Sequence, residues 1–333
     1  MAFPSISPSS LDTLVSTTLQ EYLPEMIPNI ITSVPAGKAF FEEGVRKQSG
    51  GTKINIQLMY GFNSTTTWYN YSDYIDLSPQ EAVTQAQFKW ANLTTAISLF
   101  GEEEAANSGD NVIQSLAEAK IRQAEYSLSR QLNISCYGDG TGFFGAACDG
   151  LANIVYPTTT AQDPPGGAVG GISAATFPFW RNYANLAGPS FAANGALGAS
   201  TPDYVLRGFN ICSDGSMIPT LLLSDFQVFE SYHTNGLSTG HYRVVDNDRL
   251  KGRFRELDYG GTPWIEDRDC PVGSLYILNT NFLYGVVDMN RFFRPTGWID
   301  TANQDGKVMR IHTRCNIVCS NRMLQGVIPN WTA

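Results

Sequence analysis

Residues 111–134 carry Val112, Ile113, Leu116, Ala117, Ala119, Ala124, Leu128 and Leu132 along one run with no internal glycine or proline. That spacing predicts one amphipathic helix. Ser108 and Asp110 stand where its N-cap belongs. At the helical rise per residue it would run about 36 Å. An apolar stripe of that length has to be covered by another layer, and the expectation is strands from the C-terminal third.

The segment before it changes period. After Gly50-Gly51, Ile54, Ile56, Leu58 and Tyr60 alternate with Lys53, Asn55 and Gln57, the mark of a half-buried strand. Alternation resumes at Ala82, Thr84, Ala86, Phe88 and Trp90, then flips phase to Leu93, Ile97 and Leu99. We read 52–100 as one long two-stranded hairpin with a bulge or bend near Ala91–Asn92. Its tip, 61–80, is polar and aromatic, with Phe62, Trp68, Tyr69, Tyr71 and Tyr74 among few charges. Residues 1–9 read as a loose tail. Leu11, Leu14, Val15, Leu19, Tyr22 and Leu23 then fall at helical spacing until Pro24 and Pro28 break it. Pro35 and Gly37 interrupt again before a helical turn over 38–43. This is an arm of helical pieces with no core of its own.

Beyond the long helix, 138–150 is glycine-rich and 151–217 irregular, with a helix predicted near 203–212. Leu221–Leu223 reads as a buried strand, and Ser224 as the cap of a helix carrying Phe226, Phe229 and Tyr232. Strands are predicted over 249–258, 264–266, 275–278, 285–289 and 308–320.

Charged residues make up only 16% of the chain, against about 25% in a typical soluble domain. A surface poor in charge and rich in Tyr and Trp fits large protein–protein contacts, or a plain polar protein. The net charge of −9 argues against a protein that coats DNA with lysine and arginine. The first basic residue is Lys38 and no apolar h-region follows, so no secretory signal is read. No run reaches the length of a membrane span. The sequons at Asn63, Asn70, Asn92, Asn133 and Asn330 are then chance.

No catalytic, cofactor or metal site emerges. His233, His241 and His312 are the only histidines, and no G-x-S-x-G string accompanies them. Cys136, Cys148, Cys212, Cys270, Cys315 and Cys319 are scattered, which predicts buried reduced thiols. Cys315 and Cys319 share a strand face with Met309, Ile311, Thr313 and Ile317, a core face rather than a metal pair. The 138–142 string GDGTG lacks the Lys-Ser/Thr of a phosphate loop. Asp246 and Asp248, or Glu266, Asp267 and Asp269, match no full calcium loop, so solvated turns are expected. Arg249, Lys251, Arg253 and Arg255 form a one-sided basic stripe at period two, read as a solvated face, a subunit contact or a DNA-facing patch. Glu102–Glu104 is a candidate partner for it.

Three strings carry a resemblance: AQFKWANLTTAISLFGEEEAANSG (86–109), GGISAATFPFWRN (170–182) and FRELDYGGTPWIEDRDCPVGSLYILNTNFLYGVV (254–287). In that order they resemble the major capsid proteins of tailed bacteriophages, whose Hong Kong 97-type α+β fold encapsulins share. The resemblance implies an N-terminal arm (1–51), an extended β-hairpin loop (52–100), a spine helix in a peripheral domain (101–145), an axial domain (146–284) and closing strands of the peripheral domain (285–333). It implies self-assembly into hexamers and pentamers around packaged double-stranded DNA, and a virion protein assembled in the bacterial host's cytoplasm. Separate scaffolding and portal proteins, and possible cement proteins, would be partners; no enzyme activity, cofactor or membrane is implied. Some relatives cross-link a loop lysine to a neighbour's asparagine. Lys53 and Lys89 lie in the loop, but no matching asparagine motif is assigned. A cellular cargo shell and a glycan-binding surface β-protein are the alternatives. The candidate inter-subunit residues are Leu14, Leu19, Tyr22, Phe62, Trp68, Tyr69, Tyr71, Tyr74, Arg249, Lys251, Arg253 and Arg255.

Overall fold

A computed structural model describes residues 34–106, 116–158, 162–186, 201–239, 256–302 and 304–331. Its strands are β1 (Arg46–Gln48), β2 (Ile54–Met59), β3 (Val83–Phe88), β4 (Ala91–Phe100), β5 (Tyr183–Ala184), β6 (Leu221–Ser224), β7 (Glu256–Tyr259), β8 (Thr262–Glu266), β9 (Leu275–Leu278), β10 (Leu283–Asp288), β11 (Arg294–Pro295), β12 (Ile299–Asp300), β13 (Gly306–Cys319) and β14 (Gly326–Ile328). The helices longer than two turns are α1 (Leu116–Cys136), α2 (Thr201–Ile211) and α3 (Phe226–Thr239). The fold is α+β, as expected.

β13 organises the first sheet. One edge pairs antiparallel with β4 from Gly306↔Phe100 to Cys315↔Ala91; the other takes β12, β11 and β10 in turn, and β1 adds parallel to β10. Met309, Ile311, Thr313, Cys315, Ile317 and Cys319 are all buried, which is the predicted core face. α1 lies on this sheet. Ala124 packs with Ile97 of β4 and with Met309 and Ile311 of β13, so the long helix is covered by C-terminal strands as its stripe required. It ends at Cys136, two residues past the predicted end, while 111–115 lie outside the described residues.

The second sheet runs β5-β14-β9-β6-β8-β7. β6 and β9 are buried throughout, and Val205 of α2, Val228 and Phe229 of α3 and Trp264 of β8 close over them. β14 pairs with β9 here, so the closing segment divides between the two sheets.

Four local expectations need correction. The 52–100 segment is not one hairpin: β2 pairs β3 in register from Ile54↔Phe88 to Met59↔Val83, but β4 leaves to pair with β13. The phase flip therefore marks a change of sheet at Lys89–Trp90. β3 turns its even residues inward and β4 its odd ones, because each strand takes its inward side from its own sheet and the chain changes sheets between them. Pro35 and Gly37 do not break a helix; they belong to a helical turn over Pro35–Lys38 with proline at its start, where its missing N–H costs nothing. Phe40 and Phe41 follow it into the core. Asp225, rather than Ser224, caps α3: its backbone oxygen accepts from Phe229 N, while the Ser224 hydroxyl accepts from the Trp264 indole at 2.7 Å. Finally, Asp267 is not in a solvated turn but buried.

Candidate assembly surfaces

The β2–β3 ladder pairs with neither sheet, so the hairpin stands as a separate two-stranded arm. Its base is held by the core: Ile54, Leu58, Ala86 and Phe88 are buried, and Tyr60 stacks on Phe179 with centroids 5.0 Å apart. Gly170 (φ +62°) meets Ala86 and Phe88 so closely that a Cβ there would stand 3.0 Å from Ala86 Cβ. Beyond Tyr60 the support ends. Phe62, Trp68, Tyr71 and Tyr74 are fully exposed, Tyr69, Ile75 and Leu77 largely so. Local polar turns hold the tip: Asn63 Oδ1 accepts from Thr65 N at 3.0 Å, and Asp73 Oδ2 from Asn70 N at 2.6 Å. A two-stranded ribbon is marginal by itself in water, and bare aromatics are the side chains that anchor interfaces.

Buried polar groups hold the body that carries this ribbon. Asp267 Oδ2 accepts from Ala36 N (3.3 Å), Asn133 Nδ2 (3.2 Å) and Tyr137 O–H (2.9 Å), and Oδ1 from Asp269 N (3.0 Å). It joins the segment before β1, the end of α1 and the turn after β8. Burial outweighs these donors and raises its pKa above the ordinary carboxylate value. Arg322 is equally buried; it donates to Ile154 O, Trp180 O and Asn182 Oδ1, and burial lowers its pKa to about 10.

The other candidates fare differently. Leu14, Leu19 and Tyr22, and the stripe Arg249, Lys251, Arg253 and Arg255, lie outside the described residues, as do Asp246 and Asp248. Glu103 of the acidic 102–104 group is bonded by Lys120 of its own chain, which lowers its pKa. Lys53 donates to Gln87, and Lys89 to the carbonyls of Gly140 and Gly145. All six cysteines are free and buried, and burial pushes the Cys212, Cys315 and Cys319 thiols up to about 12. His312 stands on β13 opposite Arg294. Among the described residues no group of three or more His, Cys, Asp or Glu could hold a metal ion, and no helix is long and apolar enough to cross a membrane.

Two exposed surfaces were not anticipated. Phe143 and Phe144 are largely exposed and both sit at positive φ (51° and 57°), in a loop between α1 and Cys148. Between β10 and β13, Met289, Trp298 and Ile299 face outward on the excursion that carries β11 and β12. The flanking glycines of Gly142-Phe143-Phe144-Gly145 were the available signal for the first.

No protein-family model matches the sequence, nor does any curated protein. Solved structures do match. A chain of the cyanophage A-1(L) capsid asymmetric unit superposes with a TM-score of 0.69 at 16% identity, covering 95% of this chain and 97% of that one. A chain from the capsid of a native GTA particle gives 0.61 at 10% identity, over 95% and 96%. The SrpI encapsulin of Synechococcus elongatus gives 0.59 at 11% identity, over 100% and 97%. At such identities the likeness speaks for the fold, and it runs end to end: this chain has the Hong Kong 97-type fold of tailed-phage capsid proteins.

Proposed function

We propose that this chain is the major capsid protein of a tailed bacteriophage, which assembles into hexamers and pentamers and closes an icosahedral shell around double-stranded DNA. The observation that carries the reading is the superposition on the cyanophage capsid chain over 95% of this sequence, the highest TM-score of the three superpositions described. The mechanism is geometric. The part of the arm (1–51) before residue 34 and the tip of the extended loop (52–100) beyond Tyr60 reach neighbours, while the rest of both segments is built into the chain's own body. The peripheral domain (101–145 with 285–333) and the axial domain (146–284) form the body of each capsomer position. The tip aromatics Phe62, Trp68, Tyr69, Tyr71 and Tyr74 rest on an adjacent subunit, where they lose the water they meet in a lone chain. Leu14, Leu19 and Tyr22 of the arm do the same. With a net charge of −9, DNA is held loosely and without sequence preference; the stripe Arg249, Lys251, Arg253 and Arg255 is the patch suited to it or to a neighbour's carboxylates. Scaffolding, portal and any cement proteins are separate partners. The protein resides in the virion and assembles in the host cytoplasm without catalysis.

Electron microscopy of the purified protein tests this: closed shells or capsomer rings are expected, and a monomer at high concentration would overturn it. The SrpI likeness favours a second reading, a cellular cargo shell. Shells that copurify with nuclease-resistant double-stranded DNA, or a gene beside terminase and portal genes, decide for the phage; a packaged enzyme decides for the cargo shell.

A further inference from the structure

The extended hairpin leaves the body at two roots, and both meet one side chain. The outgoing root is Gly50–Gly51, where both residues are left-handed (φ +66° and +93°), a conformation that glycine adopts freely. The returning root is Lys89–Trp90. Arg314, on β13, donates from Nη2 to Gly51 O at 2.9 Å, and its guanidinium carbon stands 4.6 Å from the centroid of the Trp90 ring. Its Nη1 donates to Oδ2 of Asp288 at 2.9 Å, and Asp288 is buried at the end of β10. One planar fork thus ties the way out, the way back and the body's sheet together; a lysine ammonium has no such fork. At the returning root Lys89 adds a second tie. Its Nζ donates to Gly140 O (2.9 Å) and Gly145 O (2.6 Å) and lies 3.5 Å from Asp149, while its backbone oxygen accepts from Asn316 Nδ2 at 2.8 Å. The apolar packing of Ala86 and Phe88 holds the hairpin's base but is non-directional. These bonds are directional, and Gln48 Nε2 adds a longer one to Gly50 O at 3.4 Å.

We propose that Arg314 is a positioning residue, a latch that sets the angle at which the hairpin leaves the body, and that its release lets the hairpin swing on Gly50–Gly51 and Lys89–Trp90. The consequence for shell shape rests on the capsid reading: a hairpin held at one angle reaches a neighbour at one angle, so the latch keeps shells uniform in size.

The roots carry their own reporter, because trypsin cuts after Lys53 and Lys89. Arg314→Lys keeps a cation for Asp288 but loses the simultaneous reach to Gly51 and Trp90; Arg314→Met removes the charge as well. The full-length wild type and both variants, taken as the same gel-filtration fraction, are treated briefly with trypsin and the fragments are weighed. Cleavage at Lys53 and Lys89 should rise about ten-fold or more in Arg314→Lys, the opening expected when hydrogen bonds from a charged group are lost. Cleavage at Arg130 and Arg207 in the body should stay within about two-fold. Unchanged root cleavage overturns the latch, and so does an equal rise at every site, which would make Arg314 a general stabiliser. Particle diameters in negative stain should broaden in Arg314→Lys; uniform particles with loosened roots overturn the consequence for shell size. A wild type that forms no particles overturns the capsid reading alone, since root cleavage still decides the latch.

Discussion

Removing the Asp267 side chain should cost several kcal/mol. In Asp267→Ala the buried Tyr137 hydroxyl and Ala36 N–H lose their acceptor, whereas Asn133 Nδ2 keeps Asp269 Oδ2 at 2.8 Å. A buried donor left unpaired costs about 1–3 kcal/mol, so two come to about 4 kcal/mol, less whatever is regained by no longer burying a carboxylate. Unfolding entropy of about 2.1 cal/mol/K per residue gives about 0.7 kcal/mol/K for a chain this long, so Tm should fall by about 6 °C. Asp267→Asn keeps an oxygen for both donors and should lose about a quarter of that. Calorimetry on the purified chains reads both. Equal losses for alanine and asparagine, or a loss for alanine below about 1 °C, would refute the argument that this acceptor ties the segment before β1 to α1. The pH dependence supplies a second check. Burial raises the Asp267 pKa above its ordinary 3.8, so the folded chain binds this proton more tightly than the unfolded one. Its contribution to stability is then greatest below 3.8 and falls as pH rises through the raised value. The stability of wild type minus Asp267→Asn should decline across that window and level off above it. A difference that climbs with pH would mean that the four hydrogen bonds outweigh the burial.

Replacing 62–78 by a short Gly/Ser turn should leave a cooperative melt and a normal circular dichroism spectrum but no closed shells; normal particles would refute the role of the tip. Deleting 1–33 should reduce shell yield more than it lowers Tm. Extending the deletion through Phe41 should lower Tm as well, because Ala36, Phe40 and Phe41 are core residues. Gly285→Ala should destabilise by about 1–3 kcal/mol or more, since its Cβ would stand 2.5 Å from Phe40 O and 2.8 Å from Phe41 Cδ1; a urea midpoint equal to wild type would refute the packing there. Ellman's reagent at pH 8 should find the thiols unreactive until denaturant is added, given their burial and the raised values at Cys212, Cys315 and Cys319.

Periodicity carried the elements that bury one face. α1, β2, β3 and β13 were readable because the covered side repeats at helical or strand spacing and the other side is largely polar. The same signal could not say which strand pairs with which. Nothing between Phe88 and Ala91 announces that the chain changes sheets, because a bulge and a move to another sheet can both invert the alternation. Polar residues misled for another reason. Glu266, Asp267 and Asp269 read as solvated because carboxylates are seldom buried unpaired, yet Asp267 finds its donors 231 and 134 residues away along the chain, at Ala36 and Asn133. Arg322 does so too, with Ile154 O, 168 residues off. Separations of that size leave no local trace. Phe143 and Phe144 are the converse: phenylalanine is among the residue types most often buried, but the structure turns these two outward at positive φ. The tip was legible because an aromatic-rich, charge-poor turn between two strands has no inside of its own to face. A residue found against its type, buried Asp267 and Arg322 or exposed Trp68 and Phe144, shows where local preference yields to the whole fold. In the buried cases the fold supplies the partner. In the exposed ones no described part of the chain covers them, which is the arrangement the proposed assembly requires of a subunit.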